Sequence, residues 1–103
     1  MSRFILLAAL LLSTSAHAGT ESQVTIKSFA FGPAVLTVPA GTTVTWVNED
    51  VEPHTVVSND KKFQSEALDT GDRFSVTFDK PGSYGYFCSL HPHMTGKIIV
   101  KPK

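Results

Sequence analysis

Cys88, His91 and Met94 stand three residues apart within Tyr86-Phe87-Cys88-Ser89-Leu90-His91-Pro92-His93-Met94-Thr95-Gly96. This segment holds the only Cys of the chain, two of its four His and its only Met after the initiator. The spacing lets one tight loop aim a thiolate, an imidazole and a thioether at one centre. A fourth donor must come from elsewhere, and His54, which follows a strand-like run, is the candidate. A thiolate, two neutral imidazoles and a weak axial thioether form the ligand set of a mononuclear electron-transfer copper site, because soft sulfurs hold Cu(I) and imidazoles also suit Cu(II). Zinc takes Cys and His ligands in closed tetrahedral sites, or three protein ligands plus water, and gains little from Met. Singly, each residue has an ordinary reading: a buried Cys as a small hydrophobe, a Met as a gap filler, a His on the surface. The three together in one loop, with an unpaired Cys in a chain that reads as exported, favour the metal.

The export reading comes from the first eighteen residues. Arg3 supplies a positive end, 4–12 is an apolar run, and Ala16-His17-Ala18 has the small-x-small pattern of a signal-peptide cleavage site. The run is too short for a lasting membrane span, and no later stretch resembles one. The expected organisation is a cleaved signal peptide at 1–18 and a single domain at 19–103, 85 residues long. With one Cys, a disulfide within the chain is impossible, so a metal is the available staple for so small a core. Removing the leader takes Arg3 with it and leaves 8 Lys plus Arg against 9 Asp plus Glu, a net charge of about −1 with His neutral. That balance, with scattered lysines, offers no footprint for nucleic acid.

The elements that must position the donors read as strands. Residues 23–27 alternate polar and apolar, 29–33 break the pattern, and 34–38 form a second short strand that ends at Pro39-Ala40-Gly41. The clearest strand is 42–48, rich in β-branched residues, with Val44 and Trp46 on its inner face. An acidic loop at 49–53 leads to His54, and strand character resumes at 55–57. Residues 58–72 read as irregular, with Phe63 and Leu68 anchoring them to the core. Strict alternation at 73–78 buries Phe74, Val76 and Phe78; 83–88 puts Tyr84, Tyr86 and Cys88 on one face; 96–100 is the last strand. Short strands with Gly and Pro turns and no helical period imply an all-β antiparallel sandwich. One end of such a sandwich can offer a metal one ligand from mid-chain and three from the loop joining the last two strands.

From Asn48 through His54-Thr55 to Cys88-x-x-His91-x-x-Met94, the sequence resembles the cupredoxins, the small blue copper proteins, and specifically the short-loop amicyanin type. The resemblance covers nearly all of the segment after the leader and includes Val44-x-Trp46-x-Asn48 and Gly96-Lys97-Ile98-Ile99-Val100. It implies an antiparallel Greek-key β-sandwich of seven to eight strands and one copper ion bound by His54, Cys88, His91 and a long axial Met94. It also implies that the Thr55 backbone N–H points at the thiolate and that Asn48 ties the two ligand loops together through Ser89. His91 is the ligand whose ring edge reaches the surface, amid an apolar docking patch at Pro53, Leu90 and Pro92, with His93 on the rim.

The function implied is one-electron transfer between proteins in the periplasm, by a soluble monomer without enzymatic activity. The partners expected are redox proteins such as a c-type cytochrome or a periplasmic dehydrogenase. The rival in the same compartment is a copper carrier or storage protein, whose ligands would exchange readily. A multicopper oxidase needs more His than the three that follow the leader, and a dinuclear electron-entry copper site needs two Cys.

Overall fold

The computed structural model describes residues 20–103, so the signal-peptide reading of 1–18 lies outside the described residues. Eight strands form two four-stranded sheets packed face to face. In chain order they are β1 Glu21–Lys27, β2 Ala30–Gly32, β3 Val35–Pro39, β4 Thr42–Asn48, β5 Val57–Ser58, β6 Arg73–Phe78, β7 Gly82–Cys88 and β8 His91–Lys101. One sheet has the order β2-β1-β4-β6 and the other β3-β8-β7-β5.

The sandwich is as expected, but its sheets are mixed rather than purely antiparallel. β1 pairs in parallel with β4, and β3 with β8. After β2 the chain crosses to the second sheet as β3 and returns through Pro39-Ala40-Gly41 to lay β4 beside β1. Two crossings between sheets bring the chain back in its starting direction. Alternation along one strand fixes which residues face inward, but not the direction of its neighbour.

Strand ends at β1, β3 and β7 shift by one or two residues, and β5 covers only Val57–Ser58 where strand character was expected over 55–57. Two elements depart further from the pattern in the sequence. Residues 30–32, read as a break, fold back on β1 as β2, with Ile26 opposite Phe31. The turn between them is Ser28-Phe29, both in the left-handed region at φ 54° and 58°. Turns of this kind usually announce themselves by Asn-Gly, a signature that Ser-Phe lacks. At the other end, β8 starts at His91 rather than Gly96, because Cys88 pairs with His91 across Ser89-Leu90 while Phe87 pairs with Thr95. Residues 92–94 therefore bulge out of the ladder, a device that re-aims side chains beside functional sites. Between β5 and β6 the chain is irregular as expected, with Leu68 buried and Phe63 packed on the core.

Trp46 is fully buried at the centre, with the rings of Phe63, Phe74, Phe78 and Tyr86 at centroid distances of 5.9, 5.9, 6.4 and 5.2 Å. Tyr86 lies over Gly96, where any Cβ would run into its ring and hydroxyl, so this crossing of β7 and β8 requires glycine. Burial pushes the Tyr86 phenol from 10.0 up to about 12. Because the raised value favours the neutral phenol in the fold, the associated stability is complete below pH 10.0 and is lost as pH rises towards 12. A shift of this size corresponds to on the order of 2–3 kcal/mol. In an alkaline titration the Tyr86 phenolate is expected to form together with loss of the β-sheet circular dichroism. A phenolate at this position below pH 10 with the fold intact would contradict that assignment.

Candidate metal centre

One end of the sandwich gathers the residues singled out by their chemistry. β7 delivers Cys88 at its last position, fully buried. The Ser89-Leu90 turn starts β8 at His91, half-buried, and the bulge turns Met94 inward until it is 5 % exposed within the same core cluster as Cys88. His54 arrives from the other ligand-bearing segment. Its backbone N–H and C=O are both bonded to Leu68, at 3.1 and 2.7 Å, and its side chain is fully buried.

His54 Nδ1 lies 3.7 Å from Cys88 Sγ. Zinc-like bonds of about 2.0 Å to nitrogen and about 2.3 Å to thiolate add up to more than this gap, so the two atoms are close enough that one metal ion could be held between them. The His91 ring stands 5.1 Å from the His54 ring, centroid to centroid. The tight donor pair is thus His54 and Cys88, with the His91 ring at contact distance from that of His54 and Met94 in the same buried cluster as Cys88. His93, the alternative imidazole, is exposed. This donor set, two imidazoles with a buried thiolate and a buried thioether, fits copper.

The surroundings prepare both donors of the tight pair. Burial alone would push the Cys88 thiol up, but the Thr55 N–H, the His54 ring, the Leu90 N–H and the Thr55 hydroxyl outweigh it and hold the thiol below its ordinary value. The expected Thr55 N–H to sulfur bond is present at 3.4 Å. On the far side of His54, Nε2 is 2.9 Å from Asp50 Oδ2. The Asp50 carboxyl is held low by the Phe29 N–H and by His54 itself, outweighing its desolvation, with further help from the Val51 N–H. Asp50 anchors the imidazole through Nε2, so Nδ1 is the nitrogen that faces the sulfur and that a metal would take.

Asn48 does not make the tie to Ser89 that the resemblance implied. Its amide donates to the carbonyls of Glu52 at 2.9 Å and Leu68 at 2.8 Å, and its Oδ1 accepts from the Asp50 N–H at 2.9 Å. It braces the acidic loop that carries Asp50. The loops are joined instead by Thr55, whose Oγ1 accepts from the Ser89 N–H at 2.7 Å, bonds Ser89 Oγ at 2.8 Å and sits 3.8 Å from Cys88 Sγ. The side chain next to His54 is nearer the Cys88 turn than one six residues earlier, and a hydroxyl both donates and accepts there. Thr55→Val keeps the backbone bond to sulfur but strands the Ser89 N–H. It is expected to cost about 1–3 kcal/mol in denaturant unfolding; an unchanged midpoint would remove the tie.

Asp50 and Phe29 were not anticipated. Asp50 had a signal, a carboxylate four residues before a candidate His ligand, the arrangement by which acidic residues orient metal-binding imidazoles. Phe29, whose ring is perpendicular to both His54 and His91, had none.

A family model described as a cupredoxin-like domain matches residues 2–100. Amicyanin of Paracoccus versutus is 41% identical over 71 residues, covering 64% of this chain and 54% of that protein, so the chain spans about half the length of this relative. Amicyanin-alpha of Methylorubrum extorquens is 34% identical over 86 residues, covering 79% of this chain and 72% of that one. Among solved structures, a purple cupredoxin from Nitrosopumilus maritimus superposes with a TM-score of 0.75 at 37% identity over 78% of this chain and 99% of its own. A Cu(I) amicyanin variant does so at 0.72 and 29%, over 84% and 86%. A family match across nearly the whole sequence, a shared two-sheet architecture and a donor set suited to the same metal establish that the chain belongs to the cupredoxins, with one copper ion as its cofactor.

Proposed function

We propose that the protein carries single electrons between redox proteins through a type 1 copper site with His54, Cys88, His91 and Met94 as ligands. The observation that carries this reading is the fully buried Cys88 sulfur, 3.7 Å from the fully buried His54 Nδ1 and held below its ordinary pKa by hydrogen bonds that favour the thiolate. When bound, copper supplies a one-electron Cu(I)/Cu(II) couple. Asp50 and the Leu68 backbone hold one imidazole, Thr55 and Ser89 hold the thiolate turn, and these restraints keep the donors in place when the charge at the centre changes. Donors so deeply buried oppose the ready exchange that a copper carrier needs.

The route for electrons is the half-exposed His91 edge. Leu90, at 49 % exposure, and the exposed Pro92 flank His91 in sequence, and the exposed Pro53 precedes His54 in the acidic loop that carries Glu49 and Glu52. An apolar patch with an acidic margin suits a brief encounter with a partner whose own redox edge is ringed by lysines, such as a c-type cytochrome; a periplasmic dehydrogenase is the partner on the donor side. The leader pattern at 1–18 supports export to the periplasm. No helix among the described residues is long and apolar enough to cross a membrane.

Mixing the reduced protein with an oxidised c-type cytochrome in stopped flow tests the function. Visible copper absorption should appear in step with cytochrome reduction, at a rate that falls as salt is added. Transfer no faster than from free Cu(I) would overturn the reading. Within the site, Met94→Gln should keep the colour but lower the reduction potential in voltammetry, because a harder axial oxygen favours Cu(II). An unchanged potential would take Met94 out of the ligand set.

A further inference from the structure

Phe29 occupies a position that physical chemistry disfavours for it. It follows Ser28 in a two-residue turn with both φ angles in the left-handed region, where bulky side chains are rare and glycine or asparagine is the usual choice. Phe29 is 48 % exposed and stands outside the buried core, so core packing does not account for it. Residues held in such backbone conformations gather at functional sites, where their surroundings fix them.

The surroundings here are the two imidazoles. The Phe29 ring meets His91 at a centroid distance of 4.9 Å and an interplanar angle of 86°, and His54 at 5.4 Å and 87°. Both are edge-to-face contacts at separations where aromatic pairs attract. The backbone joins the same arrangement: the Phe29 N–H donates to Asp50 Oδ2 at 3.0 Å, the oxygen that also holds His54 Nε2. His54 is thereby fixed through hydrogen bonds as well as packing. For His91 the structure supplies ring contacts instead, Phe29 on one side and His54 on another. The turn belongs to the β1–β2 hairpin of one sheet, whereas His91 opens β8 in the other, so the contact spans the sandwich end at the metal centre.

We propose that Phe29 is a positioning residue for the copper site, a brace whose ring holds the His91 imidazole in its binding orientation against His54 before and after the metal arrives. The inference rests on the assignment of His54 and His91 as ligands. A half-buried imidazole at the first position of β8, just after a two-residue turn, has freedom to swing about its own side-chain torsions, and an aromatic ring packed against it restricts that swing without claiming either nitrogen. Preorganisation of this kind slows loss of the metal more than it changes the fold.

The test compares the wild type with Phe29→Leu, which keeps apolar bulk and backbone conformation but removes the ring, and with Phe29→Tyr, which retains it. Three readouts are taken: ring-proton shifts of His91 in the metal-free protein, the rate at which Cu(I) passes to a chromophoric chelator, and the thermal midpoint of the metal-free protein. The Leu variant is expected to lose the ring-current displacement of His91 and to release Cu(I) roughly three- to tenfold faster, the range set by an edge-to-face aromatic contact. Its metal-free midpoint should stay at the wild-type value, and the Tyr variant should match the wild type throughout. Wild-type His91 shifts and release rate in the Leu variant would overturn the proposal. So would release accelerated only alongside a fall in midpoint, which would reduce Phe29 to a structural contact of the hairpin. If the wild type itself failed to form a thiolate–copper chromophore, the ligand assignment would fall first, an outcome distinct from a blue wild type with an indifferent Leu variant.

Discussion

Cys88→Ala is expected to abolish the intense visible absorption of the Cu(II) protein. That absorption requires charge transfer from a thiolate to the metal, and Cys88 supplies the only thiol in the chain. No other side chain can take its place, since the neighbours of the sulfur are the hydroxyl and N–H of Thr55 and the imidazole of His54. The fold should persist, because the replacement deletes one small buried atom at the end of β7 and leaves the Tyr86, Trp46 and Ile98 core in place. Any Cu(II) held by His54 and His91 alone would therefore be a pale complex on a folded scaffold. Circular dichroism of the variant next to its visible spectrum separates loss of the ligand from loss of the fold. A retained blue band in folded Cys88→Ala would refute the thiolate assignment outright.

The largest effect on stability is expected from Trp46→Ala. Trp46 is fully buried and touches aromatic residues from both sheets and from the irregular segment, Phe74 and Phe78 on β6, Tyr86 on β7 and Phe63 between β5 and β6. Emptying that volume removes the transfer energy of the indole and leaves a cavity that four rings cannot all collapse to fill, a loss of about 3–5 kcal/mol. A domain of this size holds roughly 4–13 kcal/mol in total, so the metal-free variant should unfold at a far lower denaturant midpoint. Saturating copper should recover part of the deficit, because a ligand that binds only the folded state stabilises it by mass action. A loss below about 1.5 kcal/mol would show that the sheets are held together elsewhere.

What the sequence made legible follows the range of the interactions. Trp46, Val44, Tyr86 and Cys88 were readable because a period of two along a strand fixes which side chains face inward, and each is buried. The grouping of Cys88, His91 and Met94 was readable because their spacing is local. Parallel pairing of β1 with β4 was not, since strand direction depends on how many times the intervening chain crosses between sheets. Nor was β2, whose Ser28-Phe29 turn carries no residue suited to positive φ. At the metal centre, the exchange of Asn48 for Thr55 as the tie to Ser89 turns on where two loops come together, a tertiary fact that residue types alone leave open. Phe29 lies beyond sequence reasoning for the same reason: 25 and 62 positions separate it from the two imidazoles it touches.

The most direct test of the central claim is the visible and electron paramagnetic resonance spectrum of the protein without its leader, recorded after one equivalent of Cu(II). An intense blue band with narrow copper hyperfine splitting is the expected result, because Cys88 sulfur and two imidazoles would then share one metal ion in a covalent, electron-transferring site. A pale complex with wide splitting would mean tetragonal nitrogen and oxygen ligation without Cys88, and would contradict the type 1 assignment.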